Sequence, residues 1–325
     1  MLNRRQLVTV ALAPAIAKGQ SIAAFPDPNK TLRIVVPFGA GSGTDAYARF
    51  TASKLQLPTA LNIPVIVEDK PGAQGTIAAT EIARAAPDGY MLLFTTATTH
   101  SAAPGLIKNL PYDPEKDFTP IARLGNIPSV LLVNPRLPIR SLDGLIQYAR
   151  THPGALVYAS GNNTGVIVGG ALMHYGHFSM TQVPYNSVSQ AYPDFLSGRT
   201  NVLCSDLVTA LPRIQSGQAW PIAVPSKQRV AKIPDVPPIA DEPGFSTFDL
   251  TAWLGLFGPA GLPDSIVARL GTEVAKMLSN PAVREPMEKA GLEVFTTSLS
   301  EFRIFIKDQS EIWLREIRNA NIQPQ

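Results

Sequence analysis

Short apolar runs alternate with helical periodicity through most of the chain. Leu32-Arg33-Ile34-Val35-Val36-Pro37-Phe38 reads as a buried strand, and a glycine-rich turn leads into a helix from about 44 to 55. Pro64–Glu68 is a second strand, 75–86 a second helix, and Tyr90–Thr95 a third strand. Strand, helix, strand, helix, strand predicts a parallel sheet with right-handed crossovers, punctuated by Pro and Gly. The same grammar returns downstream without a sequence repeat. Ser129–Val133 reads as a strand, and 141–151 as a helix with Ser141 as N-cap. Leu156–Ser160 is a strand opening onto a small-residue helix that runs to about Tyr175. Thr181–Tyr185 is a strand, 189–197 a helix, Thr200–Ser205 a strand, and Trp220–Val224 a further apolar run.

The last third is mostly helical: 264–279, 281–290 and 300–319, the last opened by Ser300 as a capping serine. These helices need a sheet to pack on, and the first half's sheet is the expected one. That makes the first domain discontinuous, residues 24–127 plus 250–325, with a second domain over 128–249. The two crossings, near Gly125–Val130 and Leu250–Leu254, are expected to form a hinge.

Residues 1–23 stand outside this grammar. Arg4 and Arg5 precede an apolar run from Leu7 to Ile16, and small residues follow at Ser21-Ile22-Ala23-Ala24. That is the layout of a secretory signal peptide cleaved near Ala23 or Ala24, which places the mature protein in the periplasm. The apolar run is about ten residues long and broken by Pro14, short of the roughly 20 that span a bilayer. The segment also changes the charge picture. The chain has 28 basic and 25 acidic residues; without Arg4, Arg5 and Lys18 the basic count falls to 25 and the formal charge to zero. Nucleic acid is therefore excluded as a partner, because it calls for a surplus of basic residues on one face. The single cysteine, Cys204, permits no intrachain disulfide and lies in an apolar run, so it reads as a buried small hydrophobe. The four histidines, His100, His152, His174 and His177, form no metal-ligand spacing, and no cofactor or metal is expected.

Two loops carry candidate chemistry. Phe38-Gly39-Ala40-Gly41-Ser42-Gly43-Thr44-Asp45 joins the first strand to its helix, and Ser160-Gly161-Asn162-Asn163-Thr164-Gly165 occupies the same position in the second half. Glycines allow close approach of the backbone, and the helix start offers free N–H groups and partial positive charge. Two such loops can face each other across a cleft at the carboxyl ends of the strands. Neither contains Lys or Arg, so an anion there would be held by dipoles and hydroxyls. Asp45 in the first turn reads mainly as a complement to the helix dipole. Thr98 and His100, after the third strand, are expected to line the same cleft, with Tyr185, Ser205 and Asp206 at the ends of second-half strands.

Several blocks, in order, resemble a known family. They are Ile34-Val35-Val36-Pro37-Phe38 with Gly41, Gly43 and Asp45-Ala46-Tyr47-Ala48-Arg49; Lys70-Pro71-Gly72-Ala73-Gln74-Gly75; and Ala86-Pro87-Asp88-Gly89-Tyr90. Val183-Pro184-Tyr185, Ile233-Pro234-Asp235-Val236-Pro237, Pro259-Ala260-Gly261-Leu262-Pro263 and Asn280-Pro281-Ala282-Val283-Arg284 continue them. Together they resemble the solute receptors of tripartite tricarboxylate transporters, the TctC or Bug family. The resemblance implies an α/β fold: a two-domain, type II-like periplasmic-binding-protein clamshell, each domain a mixed, mostly parallel sheet flanked by helices. It implies a small organic mono- or dicarboxylate as solute, held by the two loops, and the membrane permease subunits of such a transporter as partners to a monomeric receptor. Ile167 stands where the family often has histidine, and Cys204-Ser205-Asp206 where it often has Phe-Asp-Asn. Two other readings fit the same residues: a secreted hydrolase or transferase acting through Ser42 or Ser160, and an orphan receptor that signals to a sensor protein.

Overall fold

The computed structural model describes residues 25–324, so the leader predicted at 1–23 lies outside the described residues. In the first half, β1 (Leu32–Val36), α1 (Gly43–Leu55), β2 (Val65–Asp69), α2 (Thr76–Ala83) and β3 (Met91–Thr96) follow the predicted alternation. A helical turn at Thr98–Ala102, α3 (Ala103–Leu106) and β4 (Phe118–Asn126) come next. The second half holds β5 (Ser129–Val133), α4 (Leu142–Thr151), β6 (Val157–Ser160), α5 (Asn163–Gly176) and β7 (Thr181–Pro184). It continues through α6 (Val188–Ser197), β8 (Val202–Asp206), α7 (Leu207–Gln215) and β9 (Trp220–Ala223). The chain ends with β10 (Trp253–Pro259), α8 (Asp264–Ser279), α9 (Pro281–Lys289), β11 (Glu293–Val294) and α10 (Leu299–Asn319).

The strands form two mixed sheets, ordered β11-β4-β10-β3-β1-β2 and β7-β6-β8-β5-β9. In the first, β2, β1 and β3 are parallel and β10 runs antiparallel between β3 and β4. In the second, β7, β6 and β8 are parallel and β5 is antiparallel to β8. The chain passes between sheets twice, and the passages touch: the Ile127 N–H donates to the Ala252 carbonyl at 2.8 Å. One buried cluster runs from Trp253, Phe257 and Phe302 through Trp313 and Ile317 to Val168 and Ala171 of α5. The C-terminal helix thus packs on layers of both sheets.

Two elements depart from the sequence reading. β4 contains Pro120 and Gly125, which argue against a central strand, yet it pairs on both edges. The proline is absorbed where the register with β10 shifts between Leu256 and Phe257, and Gly125 adopts φ +133°, where a Cβ would collide with the Glu293 carbonyl. The last helix is capped by Ser298, two residues before the expected Ser300. The Ser298 hydroxyl accepts the Glu301 N–H while the Glu301 carboxylate accepts the Ser298 N–H, a reciprocal box that satisfies two otherwise orphaned donors.

Candidate ligand cleft

The ends of β1, β3, β6 and β8 and the start of β5 meet at one edge of the two sheets. Two adjoining cavities lie there. The inner one, about 30 Å³, is walled by Ser42 and Thr44 from α1's start, Thr96 and Thr98 after β3, Thr164 of α5 and Asp206. The outer one, about 280 Å³, is walled by Ser160, Asn163, Tyr185, Asn186, Gln74 and Gly75 among others. Phe38, Thr98, Gly161 and Asn162 belong to both. No Lys or Arg stands in either wall.

Each glycine-rich loop is shaped by its own helix cap. Ser42 is the N-cap of α1, its hydroxyl accepting the Asp45 N–H at 3.2 Å. Asn162 is the N-cap of α5, its Oδ1 accepting the Gly165 N–H at 2.8 Å. These caps leave the N–H groups of Gly43, Thr44, Asn163 and Thr164 with no helical acceptor, so each helix presents spare donors and the positive end of its dipole. Gly41 takes φ +77°, which a side chain disfavours, and its N–H donates to Asp45 Oδ2 at 2.8 Å. Gly161 has no room for a side chain, since a Cβ there would lie 2.4 Å from the Val188 nitrogen.

The two halves of the cleft are in contact. Asn163 Nδ2 donates to the Thr98 carbonyl at 3.2 Å, and Ser189 Oγ to the Ala40 carbonyl at 3.4 Å. A Cβ on Gly39 would lie 3.1 Å from Ser187 Oγ, and one on Gly43 only 2.6 Å from Asp206 Oδ1. The two halves therefore meet across the cleft, with the glycines at the points of closest approach.

Three of the expected cleft residues point elsewhere. His100 is fully buried beneath the cleft, stacked on Phe257 at 4.0 Å and flanked by Phe118 and Trp253. The helical turn at 98–102 leaves Thr98 on the cleft and carries His100 into this aromatic cluster. Burial pushes its imidazole down to about 3. Ser205 bonds to Tyr192 Oη and Thr209 Oγ1, at 2.8 and 2.9 Å, on the opposite face of β8 from the cavities. Asp45 braces the loop, paired with Arg49 at 2.6 Å as well as with the Gly41 N–H. Tyr185 stands in the outer wall but gives its hydroxyl proton to Asp194 at 2.7 Å. Cys204 is buried, and burial pushes its thiol up to about 12.

The sequence reading missed the third loop. Ala73, Gln74 and Gly75, between β2 and α2, reach the outer cavity, with Ala73 and Gln74 at φ +44° and +54°. The run Pro71-Gly72-Ala73-Gln74-Gly75 at a strand end was the available signal. Thr96, Ser129 and Ala252 of the inner wall carry no local motif.

Comparison with known proteins places the chain in a family. Residues 48–322 match the model for the tripartite tricarboxylate transporter family receptor. The periplasmic binding protein BugD superposes with a TM-score of 0.84 at 30% identity, over 92% of this chain and 100% of BugD. Rpa4515 of R. palustris, solved with adipate, superposes at 0.86 with 27% identity, over 92% and 99%. MatC (Rpa3494) from Rhodopseudomonas palustris, with bound malate, superposes at 0.82 with 31% identity, over 90% and 100%. The chain belongs to the tripartite tricarboxylate transporter receptor family, with the two-domain fold of periplasmic binding proteins.

Proposed function

We propose that this protein is an exported receptor that closes on a small organic mono- or dicarboxylate and delivers it to the permease of a tripartite tricarboxylate transporter. The observation that carries the reading is the convergence of two capped helix starts, α1 and α5, on one cleft with hydroxyls but no Lys or Arg in its walls. Such a site suits a carboxylate held by backbone N–H groups and hydroxyls. The carboxylate ligands of Rpa4515 and MatC support the same class. A hydrolytic reading gains nothing from the geometry. Ser42 caps α1, and Ser160 Oγ accepts from Gln182 Nε2 at 2.8 Å; among the described residues no base contacts either hydroxyl, as an activated nucleophile requires.

A panel of three- to six-carbon acids with their matching amides tests the reading. Charge-assisted hydrogen bonds contribute about 1.5–3 kcal/mol, so replacing the held carboxylate by its amide should cost at least about tenfold in affinity. A cognate acid at 100 times its dissociation constant adds about 2.7 kcal/mol and should raise the melting temperature by about 4–8 °C. Equal shifts from acids and amides would sink the anion site.

Export is read from the leader. Just after the expected cleavage point, Phe25 packs at a tilt against Tyr90, ring centroids 5.3 Å apart, and Tyr90 Oη accepts the Asp27 N–H at 2.6 Å. Protein recovered from the periplasm should begin at Ala24 or Phe25 by N-terminal sequencing; a retained Met1 would contradict cleavage.

A further inference from the structure

We infer that Asp206 makes the closed cleft select carboxylates that carry an additional hydrogen-bond donor, a hydroxyl or an ammonium, over those that lack one. The inference rests on the carboxylate reading above and names the subclass of ligand that reading leaves open.

Asp206 is a carboxyl group at 7% exposure in the inner wall. It is the N-cap of α7, where its Oδ1 accepts the Thr209 N–H at 2.9 Å. Among the described residues no donor reaches its Oδ2 and no cation pairs with it. The nearest arginine on its own helix, Arg213, donates to the Thr209 carbonyl at 2.6 Å and lies over the Tyr192 ring. On α1, opposite, Asp45 is turned away to Arg49. The second oxygen of Asp206 is open to the cavity, so a ligand that displaces water from the cleft strands this carboxylate unless it supplies a donor or a proton is kept. Burial does raise its affinity for a proton.

The inner cavity is shaped to supply that partner from the ligand. Its volume of about 30 Å³ suits one water-sized polar group. Ser42, Thr44, Thr98 and Thr164 share that wall with Asp206, and their hydroxyl oxygens can accept from a hydroxyl or an ammonium. Asp206 also lies against Gly43 at the first turn of α1, so it already brings a carboxyl group to that helix start. The ligand's own carboxylate then sits toward the α5 start and the outer cavity, with the α1 start shared between it and Asp206. A donor on the carbon beside the carboxylate bridges the two cavities through their shared wall of Thr98, Gly161 and Asn162.

The test is isothermal titration with two matched series: succinate against L- and D-malate and L- and D-aspartate, and propionate against lactate and alanine. Wild-type protein is expected to bind a donor-bearing member at least tenfold more tightly than its parent acid. Asp206→Asn keeps the volume and the cap through Oδ1 but turns an N–H donor to the cavity. It is expected to narrow the preference to threefold or less, while acids still outbind their amides. Asp206→Ser retains a capping hydroxyl and removes the second oxygen, with the same expectation; circular dichroism and melting temperature report whether each variant is folded. If parent acids bind wild type as tightly as donor-bearing ones in both series, or a folded variant keeps the full preference, the inference fails while the carboxylate reading stands. If neither acids nor amides bind at all, both fail.

Discussion

Gly43→Val is expected to weaken ligand binding about 10- to 100-fold while leaving the melting temperature of the ligand-free protein nearly unchanged. Gly43 is the first residue of α1, its φ is not in the left-handed region, and valine costs little at a helix start. Where the two halves meet, however, a Cβ at this position lies 2.6 Å from Asp206 Oδ1 and 3.4 Å from Val208 Cβ, a contact that an open cleft would relieve. Asp206 cannot swing aside, because its Oδ1 holds the first turn of α7. Overpacking of this kind costs about 1–3 kcal/mol, and each 1.4 kcal/mol is a decade of affinity. The cost falls on the closed form alone, so by linkage it appears in ligand affinity. Small-angle scattering should show the ligand-induced compaction of the wild type lost or diminished in the variant. Unchanged affinity would mean that the ligand is held without this contact; a large fall in ligand-free stability would mean that the contact persists without ligand. A cycle of Gly43→Ala with Asp206→Ser isolates the pair: the coupling should exceed the few tenths of a kcal/mol that separate independent sites.

The parts of this fold that local chemistry specifies were legible. Val-rich runs bounded by Pro and Gly mark β1 and β5, and Ser141 caps α4 through the Gly144 N–H as its position implies. The glycine-rich loops could be read as strand-to-helix turns because their residue types serve that geometry. What escaped depends on long-range register. β4 carries a proline and survives because β4 itself bulges beside it, Ile121 falling between the residues that face Leu256 and Phe257 of β10. α7, overlooked between Ser205 and Trp220, has Pro212 inside it and is started by Asp206. Ser205 and Asp206 are adjacent candidates, yet strand alternation sends one to Tyr192 and places the other in the cleft wall. Which of the two faces a ligand is decided by pairing with β5 and packing under α6, and neither appears in the local sequence. His100 is the same case. A threonine-rich run after a strand suggests a cleft wall, and only the tight helical turn at 98–102 shows the imidazole facing inward.

That buried imidazole makes stability fall in acid. His100 is fully buried, its Nδ1 within 2.9 Å of Thr99 Oγ1 and its Nε2 without a partner among the described residues. Desolvation lowers its folded-state value from 6.5 to about 3. Between those values the unfolded chain binds a proton that the folded chain refuses, so stability rises with pH across the window. The contribution is complete above about pH 6.5 and is lost progressively as pH falls toward 3. At 1.36 kcal/mol per unit, the full loss is about 4–5 kcal/mol, with about 2–3 kcal/mol gone by pH 4.5. Asp206 acts in the opposite direction: its folded-state value is raised by burial, so it disfavours folding as pH rises through that value. The two are separated by comparing chains that share Asp206. His100→Asn keeps a polar group near Thr99 and removes the titration; whatever it costs in packing is the same at every pH. Urea unfolding of both chains from pH 7.5 to 4.5 should therefore give curves that converge on acidification, with the wild type losing about 2–3 kcal/mol more than the variant. Parallel curves would show that the imidazole is protonated in the fold or reached by water. Its full burial argues against both, because protonation would leave the Nε2 N–H without an acceptor among the described residues and the surrounding Phe118, Trp253 and Phe257 exclude solvent.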